Sequence, residues 1–219
     1  MHTARSEVRH IAIEGVIGAG KTTLARMIAE RLGARLVLER FEENPFLPKF
    51  YEDPERYAFQ TQMFFLLSRF RQQQEFFQAD LFHNHVVSDY IFEKDKIFAY
   101  LTLQDDELKL YESVLSAVEK KIPTPDLVVY LQSSAERLMT NIRKRARSYE
   151  TNMSEDYIRE LNEAYNYFFF RYKSSPLLIV KATDIDFVEN TGDFEDMLEQ
   201  ILRPNRSAVE YYNPMKKGT

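Results

Sequence analysis

The sequence predicts an α/β fold in which a parallel β-sheet is flanked by helices. Short apolar runs recur along the chain, and helical patterns lie between them. Strands that alternate with helices in this way form parallel sheets. Five runs are candidate strands: HIAI (10–13), RLVL (35–38), HVVS (85–88), DLVVYL (126–131) and LLIV (177–180). We therefore expect a five-stranded sheet covered by helices.

Length and composition fit one domain over residues 1–219. The chain has 219 residues, of which 44% are hydrophobic, enough to cover a sheet on both faces. Its net charge of −5 argues against a nucleic-acid polymer as partner, because binding a phosphate backbone requires a basic surface. No run approaches the roughly 18 apolar residues of a membrane helix, and no cysteine is present for disulfides, thiolate catalysis or zinc. These features predict a cytoplasmic protein, and small phosphorylated ligands remain possible partners because a few local cations suffice to bind them.

Two helices can be placed from the spacing of apolar residues. One apolar stripe runs from Leu108 to Ile122 and another from Tyr157 to Tyr172. Ser154 is suited to cap the second helix, since it is followed by acidic residues that the helix dipole favours.

Two other segments differ from an ordinary amphipathic helix. From Pro54 to about Gln78, apolar residues are too numerous for one stripe, so this helix needs burial on more than one side. It is either a central helix of the monomer or a helix shared with a second subunit. The tail at 204–219 has no period and is expected to be loosely ordered.

A glycine-rich loop follows the first predicted strand. Gly15, four residues, then Gly20, Lys21 and Thr22 match the P-loop pattern, and the helical run TTLARMIAERL follows. In such loops, backbone N–H groups surround phosphates, the lysine neutralises charge and the threonine hydroxyl binds Mg²⁺. The sequence therefore predicts a fold of the P-loop NTPase type that binds a nucleoside triphosphate, such as ATP, with Mg²⁺. The predicted ATP-binding residues are Gly15, Val16, Ile17, Gly18, Ala19, Gly20, Lys21, Thr22 and Thr23.

Motifs that the chain lacks narrow the class of P-loop protein. None of the six glycines has an aspartate three positions before it, so the Asp-x-x-Gly of a GTPase switch is absent, as is Asn-Lys-x-Asp. The chain also has no room for a motor or an oligomeric ATPase module. A small kinase is the favoured class. Such an enzyme needs an acceptor pocket, a group that prepares the acceptor hydroxyl, and cations over the migrating phosphoryl group.

Carboxylates follow two of the predicted strands. Ligands gather beyond the carboxyl ends of strands in parallel α/β sheets. There, Glu39 could take the proton of an acceptor hydroxyl and Asp89 could hold hydrated Mg²⁺. The alternatives are that Glu39 is a solvated loop residue and Asp89 a helix N-cap.

The run NIRKRARSYE is strongly basic. Arg143 and Arg147 lie four apart, on one face of a continuous helix, whereas Arg145 points elsewhere, so one ion pair does not explain all three. Alone, the run would be a solvated face near a helix end. With a P-loop in the same chain, a helical arginine lid over phosphates, at about 143–153, is the favoured interpretation.

Four stretches together resemble the deoxynucleoside kinase family, and within it the bacterial subgroup of deoxyguanosine and deoxyadenosine kinases. They are EGVIGAGKTTLA, ERFEENPFLPKFYEDPERYAFQTQMFFLLSRF, VVSDYIFEKDKIFA and RKRARSYE, in order between about residues 10 and 172. The resemblance implies transfer of the γ-phosphoryl group of ATP, or of another NTP, to the 5′-hydroxyl of a purine deoxynucleoside in nucleotide salvage. It also implies a homodimer formed through long helices, which would explain the apolar segment after Pro54.

The resemblance assigns roles to individual residues. Glu39 becomes the base that activates the 5′-hydroxyl, while Tyr51 and Glu150 hold the 3′-hydroxyl. Arg145 and Arg147 become lid arginines.

At the nucleobase, the resemblance assigns Gln62 to the base edge, where an amide presents a donor and an acceptor together. Arg69 assists there, and Phe65 supplies stacking surface. Without the resemblance, these residues are a packed helix with two polar positions. The segment KATDIDF (181–187) is expected, by analogy, to line the donor adenine.

The chain departs from the family pattern at several positions. Many relatives place an acid, an arginine and a serine after the third strand, but here Asp89 has no arginine after it. A phosphate-organising arginine must then come from elsewhere, with Arg143 as a candidate. The aspartate with which relatives contact the nucleobase corresponds to either Lys94 or Asp95 of this chain, and this ambiguity leaves the base preference open. Between the lid arginines, where relatives usually have a glycine, this chain has Ala146.

Two other functions compete with this one. A nucleoside monophosphate kinase of the thymidylate kinase type shares the P-loop, sheet and lid, but the carboxylates Glu39 and Glu150 favour an uncharged sugar. A non-catalytic, nucleotide-binding regulatory module would bind ATP without turnover. The candidate base and lid argue against it.

Overall fold

The computed structural model describes residues 8–77, 84–147, 150 and 153–214, with only the backbone described at 75–77. The strands are β1 (His10–Gly15), β2 (Arg35–Val37), β3 (Val86–Ser88), β4 (Leu127–Gln132), β5 (Leu177–Lys181) and β6 (Val209–Tyr212). They form one sheet in the order β2-β3-β1-β4-β5-β6, and every neighbouring pair is parallel. The predicted parallel α/β architecture is confirmed.

Helices fill the intervals between the strands. They are α1 (Lys21–Leu32), α2 (Leu47–Glu52), α3 (Pro54–Phe77), α4 (Lys94–Thr102), α5 (Asp105–Val118), α6 (Ala135–Arg145), α7 (Glu155–Arg171) and α8 (Thr191–Leu202). Short 3₁₀ helices lie at Phe41–Glu43 and Glu119–Lys121. In the described ranges, none of the helices combines the length and apolar character needed to cross a bilayer.

The centre of the sheet is fully buried. Every residue of β1 is buried, as are the first five residues of β4. Such continuous apolar strands form because helices cover both faces of a parallel sheet. Tyr130 of β4 stacks on Phe169 of α7, with ring centroids 4.2 Å apart. The glycine loop thus extends from a fully buried strand at the centre of the sheet.

The sheet has six strands, so the prediction of five is wrong. The additional strand β6 lies in the tail, and the expected loose order is wrong for residues 209–212. This strand pairs with β5 from Leu177↔Val209 to Val180↔Tyr212. Arg206 supports it by donating a hydrogen bond of 2.9 Å to Glu210. Only alternate side chains of β6 are partly covered, so no apolar run marks the strand.

Helix α3 is buried within the subunit on several sides, where it packs against α2, α4 and α5. Leu66 is fully buried in a cluster with Ala99 of α4 and Tyr111 and Leu115 of α5. Its neighbour Leu67 is 45% exposed. Of the two alternatives for this helix, a central position in the monomer accounts for the burial.

Replacing Leu66 should destabilise the protein strongly. Leu66→Ala is expected to lower the free energy of unfolding by about 2–5 kcal/mol, because it leaves a cavity between three helices. The matched control Leu67→Ala should change it by only about 0.5 kcal/mol. Urea unfolding followed by circular dichroism measures both, and equal losses would contradict the described packing of α3.

Candidate active site

The glycine loop joins β1 to α1 in the geometry of a phosphate cradle. Gly18 and Gly20 have φ of 87° and 92°, a region open to glycine without steric cost. A Cβ on Gly18 would lie 2.7 Å from the carbonyl oxygen of Leu138 on α6, so a larger residue does not fit. Helix α1 starts at Lys21 with no side-chain cap, which leaves its first N–H groups facing the loop.

Two cavities adjoin at this loop. The first, of about 110 Å³, lies beyond the ends of β2 and β3, and the second, of about 730 Å³, lies between the loop, α6 and residues 182–189. Lys21, Thr22, Arg145 and Arg147 line both. All the residues predicted to bind the substrate line the first: Glu39, Tyr51, Gln62, Phe65, Arg69, Asp89 and Glu150.

Most of the predicted ATP-binding residues line the cavities. Gly18, Ala19, Gly20, Lys21, Thr22 and Thr23 line the second cavity, and Ile17 lines the first. The carbonyl oxygens of Gly15 and Val16 instead accept hydrogen bonds from Lys21 Nζ, at 2.7 and 3.2 Å. The lysine is thus folded onto its own loop. The segment 181–187, expected beside the donor adenine, contributes Ala182, Ile185, Asp186 and Phe187 to the second cavity.

Glu39 is held between two cations from different helices. Arg69 of α3 donates from Nε to Oε1 at 2.8 Å, and Lys94 of α4 donates to Oε2 at 2.7 Å. The side chain of Glu39 is only 12% exposed. Burial alone would raise the pKa of Glu39, but the charges of Arg69 and Lys94 outweigh it and hold that pKa well below its usual range. Glu39 is therefore a fixed carboxylate in the first cavity and not a solvated loop residue.

Asp89 connects the two cavities. Its Oδ2 accepts the Thr22 hydroxyl at 2.5 Å, and its Oδ1 accepts the backbone N–H of Glu39 at 2.7 Å. Asp89 is not a helix cap, since α4 starts only at Lys94. A hydroxyl beside a carboxylate supplies the hard oxygen ligands that Mg²⁺ prefers alongside substrate phosphates. Thr22 and Asp89 therefore fit the predicted Mg²⁺.

Polar residues of α3 face the far end of the first cavity. Gln62 is buried, and its Nε2 donates weakly to the Thr102 hydroxyl, at 3.5 Å. The guanidinium of Arg69 lies over the Phe65 ring, 4.7 Å from its centroid. These contacts place a donor and acceptor pair beside an aromatic surface, as a nucleobase requires.

The structure separates the two residues between which the sequence left the base contact open. Lys94 bonds to Glu39, whereas Asp95 is fully buried and forms an ion pair with Arg69. Lys94 lines the first cavity and Asp95 does not. Asp95 can therefore influence a base through Arg69, and Lys94 belongs to the carboxylate end of the site.

Two arginines of the basic run converge on Glu150. Arg145 Nη2 lies 2.6 and 2.7 Å from the two oxygens of Glu150, and Arg147 Nη1 lies 3.6 Å from Oε1. Helix α6 ends at Arg145, and Ala146 adopts a left-handed conformation with φ of 52°. Arg143 is exposed and lines neither cavity. The expected shared face of Arg143 and Arg147 is wrong, because the turn at Ala146 redirects the chain.

The predicted lid is only partly described. Residues 148, 149, 151 and 152 of the expected range 143–153 lie outside the described residues.

Two residues of the site were not singled out in the sequence. Glu14, fully buried in β1, accepts the backbone N–H groups of Gly15 and Ile91, each at 3.0 Å. Asn141 of α6 donates to the carbonyl of Gly18 at 2.9 Å. An acid inside the apolar run before the glycine loop was a signal for Glu14, whereas no pattern marks Asn141.

Comparisons with known proteins identify the family of the chain. A family model described as deoxynucleoside kinase matches residues 11–204. A deoxyguanosine kinase from Bacillus subtilis is 35% identical over 198 residues, covering 87% of this chain and 95% of the relative. A deoxyadenosine/deoxycytidine kinase from the same organism is 32% identical over 198 residues, covering 87% and 90%. A solved deoxyadenosine kinase from M. mycoides with bound dATP has a TM-score of 0.76 and 26% identity, over 88% of this chain and 98% of its own.

The glycine-loop lysine is expected to lower stability in the free protein. Burial and the nearby charge of Lys94 lower the pKa of Lys21 to about 8. Between that value and the ordinary value of 10.5, the unfolded chain binds more protons. The stability contributed by this group therefore rises with pH across that window. Lys21→Met should remove this dependence and raise the melting temperature at pH 7, while weakening triphosphate binding about 10- to 100-fold.

Thermal melting with and without triphosphate, compared between variant and wild type across pH 7–10.5, measures both effects. Lys109→Met, an exposed change on α5, serves as the control. A Lys21→Met protein that melts below the wild type at pH 7 would contradict the explanation.

Proposed function

The chain belongs to the deoxynucleoside kinase family, and from that premise we propose that it transfers the γ-phosphoryl group of ATP, or another nucleoside triphosphate, to the 5′-hydroxyl of a deoxynucleoside. Family membership makes the chain a phosphotransferase that acts on deoxynucleosides. One observation carries the finer proposal: the carboxylate of Glu39 shares a cavity with Lys21 and Thr22 of the glycine loop.

The second cavity suits the donor. Its glycine-loop end offers backbone N–H groups and Lys21, and α6 adds Arg145, with Arg147 beyond it. These groups match a triphosphate tail, which binds to convergent N–H groups and cations. Mg²⁺ between Thr22 and Asp89 would neutralise charge on the donor phosphates.

The first cavity suits a neutral alcohol. In the proposed reaction, Glu39 accepts the proton of the 5′-hydroxyl while the oxygen attacks the γ-phosphorus and the β-phosphate departs. The low pKa of Glu39 makes it a weak base, so proton transfer occurs late. A loose phosphoryl-transfer transition state tolerates this, because the attacking oxygen gains little charge before the bond forms.

The sugar and the base have separate contacts in this proposal. Tyr51 and Glu150 hold the 3′-hydroxyl, Gln62 and Arg69 meet the base edge, and Phe65 supplies stacking surface. A purine preference is supported by relatives named deoxyguanosine and deoxyadenosine kinases. The product would enter nucleotide salvage in the cytoplasm.

A monophosphate acceptor fits the first cavity less well. The cations Arg69 and Lys94 are both paired with Glu39, and Arg145 is paired with Glu150. A second phosphate would face these carboxylates, and like charges at close range are unfavourable.

We also propose a homodimer, with α4 and α7 at the interface. Tyr167 and Phe170 of α7 are 63% and 77% exposed, and Tyr100 of α4, which is 60% exposed, lines one cavity with Tyr167. Large exposed aromatic groups of this kind mark contact surfaces. The dimer would thus use these helices, while α3 stays within the subunit.

Glu39→Gln should abolish most of the turnover and leave donor binding intact. The amide keeps the shape of the side chain but is a poor proton acceptor, so we expect kcat to fall about 10²- to 10⁴-fold. Glu43→Gln changes an exposed acid of the same segment and should have no effect. Transfer of labelled phosphoryl to the four deoxynucleosides and to their monophosphates measures acceptor class and kcat together. Unchanged turnover in Glu39→Gln removes Glu39 from the mechanism, and transfer to monophosphates alone favours the rival kinase type.

A further inference from the structure

Lys94 occupies a position that is unfavourable for a lysine. It is the first residue of α4, where the positive end of the helix dipole repels a cation. Its side chain is 5% exposed, so the ammonium has also lost most of its hydration. A buried ion pair can often be replaced by apolar side chains without loss of stability. Packing alone therefore gives no reason for a charge here.

The carboxylates around Lys94 hold it in place. Nζ lies 2.7 Å from Glu39 Oε2 and 4.0 Å from Glu14 Oε1. Glu14 is itself fixed by two backbone N–H groups. The side chain thus reaches from α4 to the carboxylate end of the first cavity, which Lys21, Thr22 and Asp89 also line.

Lys94 is the cation that contacts Glu39 Oε2 directly, at 2.7 Å, whereas Lys21 bonds to the carbonyl oxygens of its own loop. Arg69 holds the opposite oxygen, Oε1, and is also paired with Asp95. The residue directly after Asp89 is Tyr90, which is fully buried in a cluster with Val37. Lys94 therefore lies between Glu39 and Glu14, the residue that precedes Gly15 of the glycine loop.

We propose that Lys94 is a catalytic residue of the acceptor side, whose ammonium contacts the 5′-oxygen and the incoming γ-phosphoryl group. Glu14 is its positioning residue. The inference rests on the proposed deoxynucleoside kinase function. In it, Lys21 contacts the donor phosphates and Lys94 contacts the acceptor oxygen.

The proposed step conserves atoms and charge. The 5′-hydroxyl gives its proton to Glu39 Oε2, and its oxygen forms the new bond to the γ-phosphorus. The bond from that phosphorus to the bridging oxygen breaks, and the electron pair leaves on the β-phosphate. Lys94 keeps its proton throughout. As Glu39 is protonated, Lys94 moves its hydrogen bond from Oε2 to an oxygen of the transferred group.

The test compares three changes in the full chain. Lys94→Met should lower kcat about 10²- to 10³-fold, since it removes a preorganised charge at the reacting oxygens. The dissociation constant of the triphosphate should stay within about threefold, because Lys94 is absent from the second cavity. Lys94→Ala should lower kcat by a similar factor. Added ethylammonium should restore part of this kcat with saturation, because it replaces the missing ammonium, whereas the uncharged propanol should not. Lys109→Met, an exposed change on α5, should behave as wild type.

Circular dichroism and thermal melting establish that each variant is folded. If Lys94→Met is unfolded, Lys94→Met/Glu14→Gln removes the buried cation and acid together, and its kcat then tests the proposal. A folded Lys94→Met protein, or a folded Lys94→Met/Glu14→Gln protein, whose kcat lies within about threefold of the wild-type value overturns the proposal. A folded Lys94→Ala protein that ethylammonium does not rescue also overturns it. Failure of all these variants to fold also overturns it, by assigning Lys94 to the fold. Absence of transfer by the wild type to every deoxynucleoside would instead refute the proposed function.

Discussion

The carboxylate of Glu39, held by one cation at each oxygen, is the interaction on which the rest of the site depends. Arg69 reaches it from α3 and Lys94 from α4, while Asp89 fixes its backbone N–H from the end of β3. Three separate elements are thereby brought to one residue. Since such buried ions are unfavourable unless they are paired and hydrogen-bonded, the helices must dock in one arrangement for the pairs to form. The same docking of α3 and α4 that forms these ion pairs therefore also forms the first cavity.

The charge arrangement explains why the base of this site is weak. A carboxylate that two cations stabilise has little tendency to accept a proton, yet the same pairing keeps it ionised and oriented although its side chain is only 12% exposed. Orientation contributes most to a reaction whose transition state carries its charge on phosphoryl oxygens. The site therefore combines a fixed proton acceptor with cations that are held in place by ion pairs.

The sequence predicts those parts of the fold and site that depend on local pattern. The glycine spacing located the loop, and strand ends located Glu39 and Asp89, because ligands of parallel sheets collect at that edge. It could not supply features that depend on where an element stops. The end of α6 at Arg145 separates Arg147 from Arg143, and no periodicity reports a left-handed turn at an alanine. Likewise, β6 is an edge strand whose exposed alternate residues resemble a polar tail.

The contact between the glycine loop and α6 has a consequence for engineering this enzyme. Gly18 leaves no room for a side chain against Leu138, and its carbonyl is bonded to Asn141. The loop and α6 are therefore packed against each other as one structural unit. A redesign that changes the phosphate-binding turn must also change the facing residues of α6. Grafting the turn alone from another nucleotide-binding scaffold would lose the packing and the hydrogen bond between loop and helix.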